Sequence, residues 1–132
     1  MPAETVIRFV TEWRHAPYGH RTGVFRAAYR VWPGRILPEA ERAELRTLLD
    51  WFNDHLAKPD RLATSRRAHG AETALSWIRA SARQHVTRLR RIAALVERAG
   101  IAVDELHTAR PGYVVYRDAY QVVALPFADT PQ

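Results

Sequence analysis

Residues 13–23 concentrate side chains that can bind an anion or transfer a proton. This short segment joins a predicted strand to a predicted helix and contains Arg14, His15, His20 and Arg21. Free N–H groups at a helix N-terminus favour anions, and arginine presents a planar fork that matches phosphate and carboxylate. The segment therefore predicts a site for a phosphate- or carboxylate-bearing ligand.

Other loops join this site if the first three strands run parallel. Their C-terminal ends then bring Ser81, His107 and Arg110 to the same edge of the sheet, where ligands of open α/β sheets bind. The alternative interpretation is a set of ordinary polar loops in an arginine-rich chain.

An enzyme is the second functional hypothesis for the same residues. In it Arg14, Arg21 and Arg110 hold a phosphate-bearing ligand. His15 or His20 then transfers the proton, as histidine does in general acid–base catalysis.

No catalytic or cofactor motif accompanies these residues. The chain lacks the nucleophile-elbow, P-loop and dinucleotide-binding strings, and its six histidines lack the spacing of a helical metal pair. The absence of cysteine excludes disulfides, thiolate metal sites and a cysteine nucleophile. We therefore expect no metal and no cofactor, and the main hypothesis is a non-catalytic binding or accessory domain.

Positive charge is a second feature, because the net charge is +6 and all basic residues except Lys58 are arginines. A stripe on the predicted helix 82–99 contains Arg83, Arg90, Arg91 and Arg98, and a predicted polar loop adds Arg61, Arg66 and Arg67. Such a surface binds nucleic acid without regard to base sequence. A solvated helix face in the product of a GC-rich genome explains the same charge, and no nucleic-acid recognition motif is present.

Hydrophobic periodicity predicts one α+β domain spanning residues 1–132. Strands are expected at 5–12, 73–79, 102–107, 113–116 and 121–125, and helices at 23–32, 38–56 and 82–99. The order β-α-α-β-α-β-β-β implies two layers, a mixed sheet with its helices on one face. The unit from 73 to 107 is expected to be a parallel crossover.

Residues 71–99 also fit one continuous helix. We favour a strand followed by a helix, because 73–79 alternates like a strand and Ser81 with Gln84 forms an S-x-x-Q capping box. The helix should end in a Schellman motif at Gly100, which an apolar residue follows.

The C-terminal hairpin is dense in strand-forming residues. If one of its strands lies at the edge of the sheet, it can pair with a second copy or another protein. No export signal and no run of about 18 apolar residues is present, so we expect a cytoplasmic protein without a membrane partner.

Three stretches carry a resemblance to known sequences. They are Arg-Pro-Gly-Tyr-Val-Val-Tyr-Arg-Asp-Ala-Tyr-Gln-Val-Val-Ala at 110–124, Ser-Trp-Ile-Arg-Ala at 76–80 and Leu-Leu-Asp-Trp-Phe at 48–52. Together they resemble a family of small uncharacterised bacterial proteins. The resemblance implies a bacterial source and a single domain, and it assigns a role to no residue.

Overall fold

A computed structural model of the chain describes residues 4–14, 21–59 and 74–131. Within these ranges the strands are β1 (Val6–Arg14), β2 (Arg21–Gly23), β3 (Leu75–Arg79), β4 (Val103–Thr108), β5 (Tyr113–Arg117) and β6 (Gln121–Leu125). The helices are α1 (Val24–Val31), α2 (Glu39–His55) and α3 (Arg83–Arg98). The predicted α+β class is confirmed, and the predicted bounds agree to within two residues. The short strand β2 was not predicted, and the predicted loop 61–70 lies outside the described residues.

The strand β1 is the centre of the sheet. One of its edges pairs with β4 from Val6 to Thr11, while the other pairs with β3 near its start and with β2 near its end. The strand β6 follows β3, and β5 forms the outer edge. All pairings among the described strands are antiparallel, which corrects the mixed sheet expected from the sequence. The strands β3 and β4 do run parallel, but β1 lies between them.

Helices cover one face of this sheet. Ile7 and Phe9 of β1 and Ile78 of β3 pack with the buried residues of all three helices in one apolar cluster. The opposite face is buried as well around Trp77, which packs with a neighbouring residue of β1 and with Val122 of β6. The centre of the sheet is therefore shielded from water on both faces.

The segment 71–99 contains a strand followed by a helix, as predicted, but the capping box is absent. The N-cap residue of α3 is Ala82, and the Ser81 hydroxyl instead donates to Oε1 of Glu4 at 2.8 Å. The other end of α3 has the predicted Schellman motif, since the N–H of Gly100 donates to the carbonyl of Glu97 at 2.9 Å. Local sequence signals thus predicted the position of the helix. Ser81 does not cap it, because its hydroxyl forms a hydrogen bond with Glu4, a residue distant in sequence.

The buried face of α1 differs from the predicted one. The sequence pattern placed Phe25, Ala28, Tyr29 and Trp32 in the core, whereas the buried residues are Val24, Ala27, Ala28 and Val31. The two fully buried alanines allow the backbone of α1 to approach its neighbours closely, and the bulky aromatic rings then lie at the margin of the contact. Tyr29 is 45% exposed as a result.

We expect Gly112→Ala to lower the free energy of unfolding by about 2–4 kcal/mol. Gly112 has φ 134°, and a Cβ there would lie 1.9 Å from the carbonyl oxygen of Leu125. Gly100→Ala is the matched control, because Gly100 also has a positive φ, 95°, but no atom within 4 Å of its Cβ position. Its cost should be only about 1 kcal/mol, from backbone conformation alone. Urea denaturation measures both, and equal costs would refute the proposed clash.

The turn between β5 and β6 is organised by Asp118. Its carboxylate accepts hydrogen bonds from the backbone N–H groups of Tyr120 at 2.8 Å and Gln121 at 2.9 Å and from the hydroxyl of Tyr116 at 2.9 Å. Burial raises the pKa of Asp118, but these hydrogen bonds outweigh it and hold the pKa below its ordinary value. The predicted hairpin is confirmed, and one side chain holds its turn.

We expect Asp118→Ala to cost about 1–3 kcal/mol at pH 7, because two backbone donors lose their acceptor. A carboxyl whose pKa is lower in the folded state stabilises the protein above its ordinary pKa, and the stabilisation is lost as pH falls through the lowered value. The difference between the variant and the parent protein should therefore shrink at acid pH. Urea denaturation at neutral and acid pH checks this, with the exposed Asp129→Ala as control. A pH-independent difference would contradict the proposed role of the charge.

Candidate functional site

The sheet splits along one edge of β1. The strand β3 pairs with Val6 and Ile7, and the next described pairing on this edge is that of Val10 with Gly23 of β2. A cavity of about 490 Å³ lies at this split, under α1 and α2. Its volume falls within the usual range for small-molecule sites.

The walls of the cavity are mainly apolar. The described apolar side chains come from both layers and include Ile7, Phe9, Val24, Phe25, Phe52, Leu56, Leu75, Ile78 and Leu89. A ligand that enters the cavity therefore exchanges water for hydrocarbon over most of its surface.

Four uncharged polar side chains on the walls are paired with each other or with backbone. These are Tyr29, Asn53, Ser76 and Gln121. The Asn53 amide donates to the Tyr29 hydroxyl at 3.1 Å, and the Ser76 hydroxyl donates to Oε1 of Gln121 at 2.9 Å. The amide of Gln121 also donates to the carbonyl of Ala57 at 2.6 Å. These groups have their hydrogen bonds without a ligand.

Arg8 differs from these groups. Its side chain is 7% exposed, and its Nη2 donates to the backbone carbonyl of Arg21 at 2.6 Å. Its Nη1 is buried without an acceptor, and no carboxylate among the described residues forms an ion pair with it. Burial, with a smaller effect from the charge of Arg21, lowers the pKa of Arg8 to about 10. Arg8 is thus a buried cation at neutral pH.

The cavity has a positive electrostatic character. Among the described residues that line it, Arg8 and Lys58 are cations and none is an aspartate or a glutamate. An anion is therefore favoured there over a cation or a neutral polar group.

The sequence analysis did not identify Arg8 as a functional residue. Alternation along the first strand puts Ile7 and Phe9 on one face and Arg8 and Glu12 on the other, which predicts a half-buried strand with Arg8 in solvent; the structure corrects this, because Arg8 is buried. The signal was present, since Arg8 stands between Val6 and Val10 on one face of an alternating strand. Two apolar residues at i−2 and i+2 indicate that this face is buried too.

The anion site predicted from the sequence is divided between the two ends of the sheet: Arg14 and Arg21 are neighbours on β1 and β2, but Ser81 and Arg110 do not join them. The strand β1 runs antiparallel to β3 and β4, so Arg14 and Arg21 lie at its C-terminal end, whereas Ser81 and Arg110 follow strands that end beside Val6. Eight residues of strand, about 26 Å, separate the two ends. His15 and His20 lie outside the described residues.

The described members of that predicted site also have partners of their own. Arg21 forms an ion pair with Asp104, while Nε2 of His107 lies 2.5 Å from Glu105. Arg110 lies 3.4 Å from Asp129. The shared ligand required by the enzyme hypothesis would have to contact Arg14 and Arg110 together, which the antiparallel arrangement prevents.

The arginine stripe on α3 is largely neutralised. Arg90 makes two hydrogen bonds of 3.0 Å to Glu105, Arg91 contacts Glu44 at 2.8 Å, and Arg98 forms an ion pair with Glu41. Hydrogen bonds to these carboxylates raise the pKa of Arg90 and of Arg91. Arg83 is exposed, and Arg61, Arg66 and Arg67 lie outside the described residues. The described part of the stripe therefore offers little free positive charge to a polyanion.

A second, more open cleft of about 790 Å³ lies between the end of α2, the start of α3 and the β5–β6 turn. His85 is buried there, and its Nε2 donates to the carbonyl of His55 at 2.8 Å. The His85 ring stacks on Tyr120 at 4.4 Å, and the His55 ring stacks on Trp51 at 4.2 Å. Both histidines are therefore held by ring stacking and by a backbone carbonyl.

The fold and the cavity define an α+β domain whose antiparallel sheet, covered by helices, splits around a cationic, mainly apolar site. Comparison of the chain with family models, curated proteins and solved structures gives no match. None of the helices in the described ranges is long and apolar enough to cross a membrane. No group of three metal-ligating side chains is present in the same ranges.

Proposed function

We propose that this protein is a non-catalytic binding domain that takes a small anionic ligand into the cavity at the split of the sheet. The observation that supports this proposal is Arg8, a buried residue of the cavity lining whose Nη1 has no acceptor. Buried charges in proteins are normally paired, so an arginine retained here without a carboxylate among the described residues favours an external anion.

The chemistry of the remaining wall supports binding rather than catalysis. The other polar side chains already have hydrogen-bond partners, and the two histidines near the second cleft each donate to a backbone carbonyl. A cytoplasmic location belongs to the same proposal, because a chain without cysteine suits a reducing compartment.

Titration with an anionic naphthalene sulfonate dye, followed by fluorescence, tests the proposal. We expect saturable binding that becomes about 10- to 100-fold weaker in Arg8→Met, because a charged hydrogen bond is lost. Arg35→Met makes the same chemical change at an exposed position and should leave binding unaltered. Equal binding by the parent protein and both variants would overturn the proposal.

Nucleic acid is the other anionic partner considered from the sequence, and the ion pairs of Arg90 and Arg91 weigh against it. Labelled DNA titrated at low and high salt measures it directly, because phosphate contacts release counterions. We expect no salt-sensitive binding. Strong binding at low salt that is lost on replacing both arginines by glutamate would assign the anion site to α3 instead of the cavity.

A further inference from the structure

We infer that the ligand of this cavity is a monocarboxylate with an apolar tail, such as a short fatty acid, and that its carboxylate binds Arg8. This inference rests on the proposed function and adds the ligand class to it. Three properties of the walls support this inference. They are the number of buried charges, the shape of the guanidinium that has an unused donor, and the fact that the other polar side chains already have hydrogen-bond partners.

The first property is the charge. Arg8 is the one buried cation among the described residues of the wall, and the other cation, Lys58, is exposed. One buried positive charge is balanced by one negative charge. A phosphate monoester carries close to two negative charges at neutral pH, and the second would be buried without a partner.

The second property is the shape of the donor. Nη2 of Arg8 is already used by the carbonyl of Arg21, while Nη1 has no acceptor. Both nitrogens belong to one planar fork, and the two oxygens of a carboxylate match the spacing of such a fork. A neutral alcohol or amide offers one oxygen and no charge, so it leaves most of this interaction unused.

The third property concerns the rest of the ligand. The hydroxyl of Ser76 and the amide of Gln121 already have partners at 2.9 and 2.6 Å. Their neighbours on the wall include Phe9, Phe52 and Leu89. A polar group in the body of the ligand would lose its hydrogen bonds to water and gain none here. The body is therefore apolar.

Calorimetric titration of the full chain with butanoate, hexanoate and octanoate tests the inference. Each buried methylene contributes about fourfold in affinity, so each step of two carbons should lower Kd about 15-fold until the cavity is filled. Octan-1-ol supplies the same tail without charge, and octyl phosphate supplies a head with close to two negative charges. We expect octanoate to bind more tightly than either of them.

Arg8→Met should weaken octanoate binding about 10- to 100-fold and leave octan-1-ol within threefold of the parent protein. Arg35→Met should change octanoate binding less than threefold, because Arg35 is exposed and lies outside the cavity lining. Thermal melting without ligand shows that each variant is folded.

The outcomes separate the ligand class from the proposed function. Arg8-dependent binding of the sulfonate dye without binding of octanoate would overturn the carboxylate inference and leave the proposed function intact. Tighter binding of octyl phosphate would overturn the single-charge argument. Binding of octanoate that Arg8→Met does not weaken would overturn the inference, and failure of both the dye and octanoate to bind would overturn the inference and the proposed function together.

Discussion

Replacing Trp77 by alanine is expected to lower the free energy of unfolding by about 3–5 kcal/mol, the usual cost of removing a large buried aromatic side chain. Trp77 is fully buried in the middle of β3 and packs with Val6 of β1 and Val122 of β6. Its removal leaves a cavity on this face of the sheet, and the strands cannot move to fill it because β1 and β6 are each paired on their other edge as well. Urea denaturation followed by far-ultraviolet circular dichroism measures this cost.

A more conservative change at the same position separates packing from hydrogen bonding. The indole Nε1 of Trp77 is buried without an acceptor, so Trp77→Phe removes an unsatisfied donor together with some apolar area. We expect Trp77→Phe to cost less than about 1.5 kcal/mol. Trp13→Ala is the surface control, because Trp13 is 37% exposed, and its cost should stay near 0.5 kcal/mol. A small effect of Trp77→Ala would contradict the burial of this residue.

The second large effect is expected in the opposite direction. Arg8→Met should raise the free energy of unfolding by about 1–3 kcal/mol while it weakens anion binding about 10- to 100-fold, because an apolar side chain of similar length replaces a buried charge that has no carboxylate partner among the described residues. The hydrogen bond to the carbonyl of Arg21 is lost, which sets the lower end of this range. A residue that costs stability and supports binding is expected at a functional site.

The pH dependence of this effect follows from the pKa of Arg8. Burial lowers that pKa from its ordinary value to about 10, so below pH 10 the folded and unfolded states are both protonated and the cost of the buried charge is complete. Above pH 10 the folded state releases its proton while the unfolded state retains it, and the cost fades. The advantage of Arg8→Met over the parent protein should therefore be constant at neutral pH and shrink toward pH 11.

Urea denaturation of both proteins across this pH range provides the measurement. Arg35→Met is again the control, and its difference from the parent protein should stay within about 0.5 kcal/mol at every pH. A loss of more than 1 kcal/mol in Arg8→Met at pH 7 would show that Arg8 holds the fold together. It would also remove the argument that its buried charge is kept for a ligand.

The amino-acid sequence by itself determined the elements. The apolar stripe of α2, the Gly100 stop of α3 and the turn residues around Asp118 are local signals, and each element lies where its signal predicted. The two-layer α+β class also followed from element order, because amphipathic helices must cover one face of a sheet. The positions of helices and turns depend on side-chain periodicity and on hydrogen bonds between residues close in sequence, and both can be read from the sequence.

The tertiary structure alone decided which strand lies between β3 and β4, and the candidate site depends on that choice. Because β1 occupies this position in the antiparallel direction, Arg14 and Arg110 lie at opposite ends of the sheet. Glutamates from α2 and β4 neutralise most of the described arginines on α3. Arg8 is buried on the face of β1 that also holds Val6 and Val10, opposite to the helices, and its guanidinium reaches the carbonyl of Arg21 in β2. These contacts join residues far apart in the chain, and their energies depend on burial and on partners that no local pattern specifies.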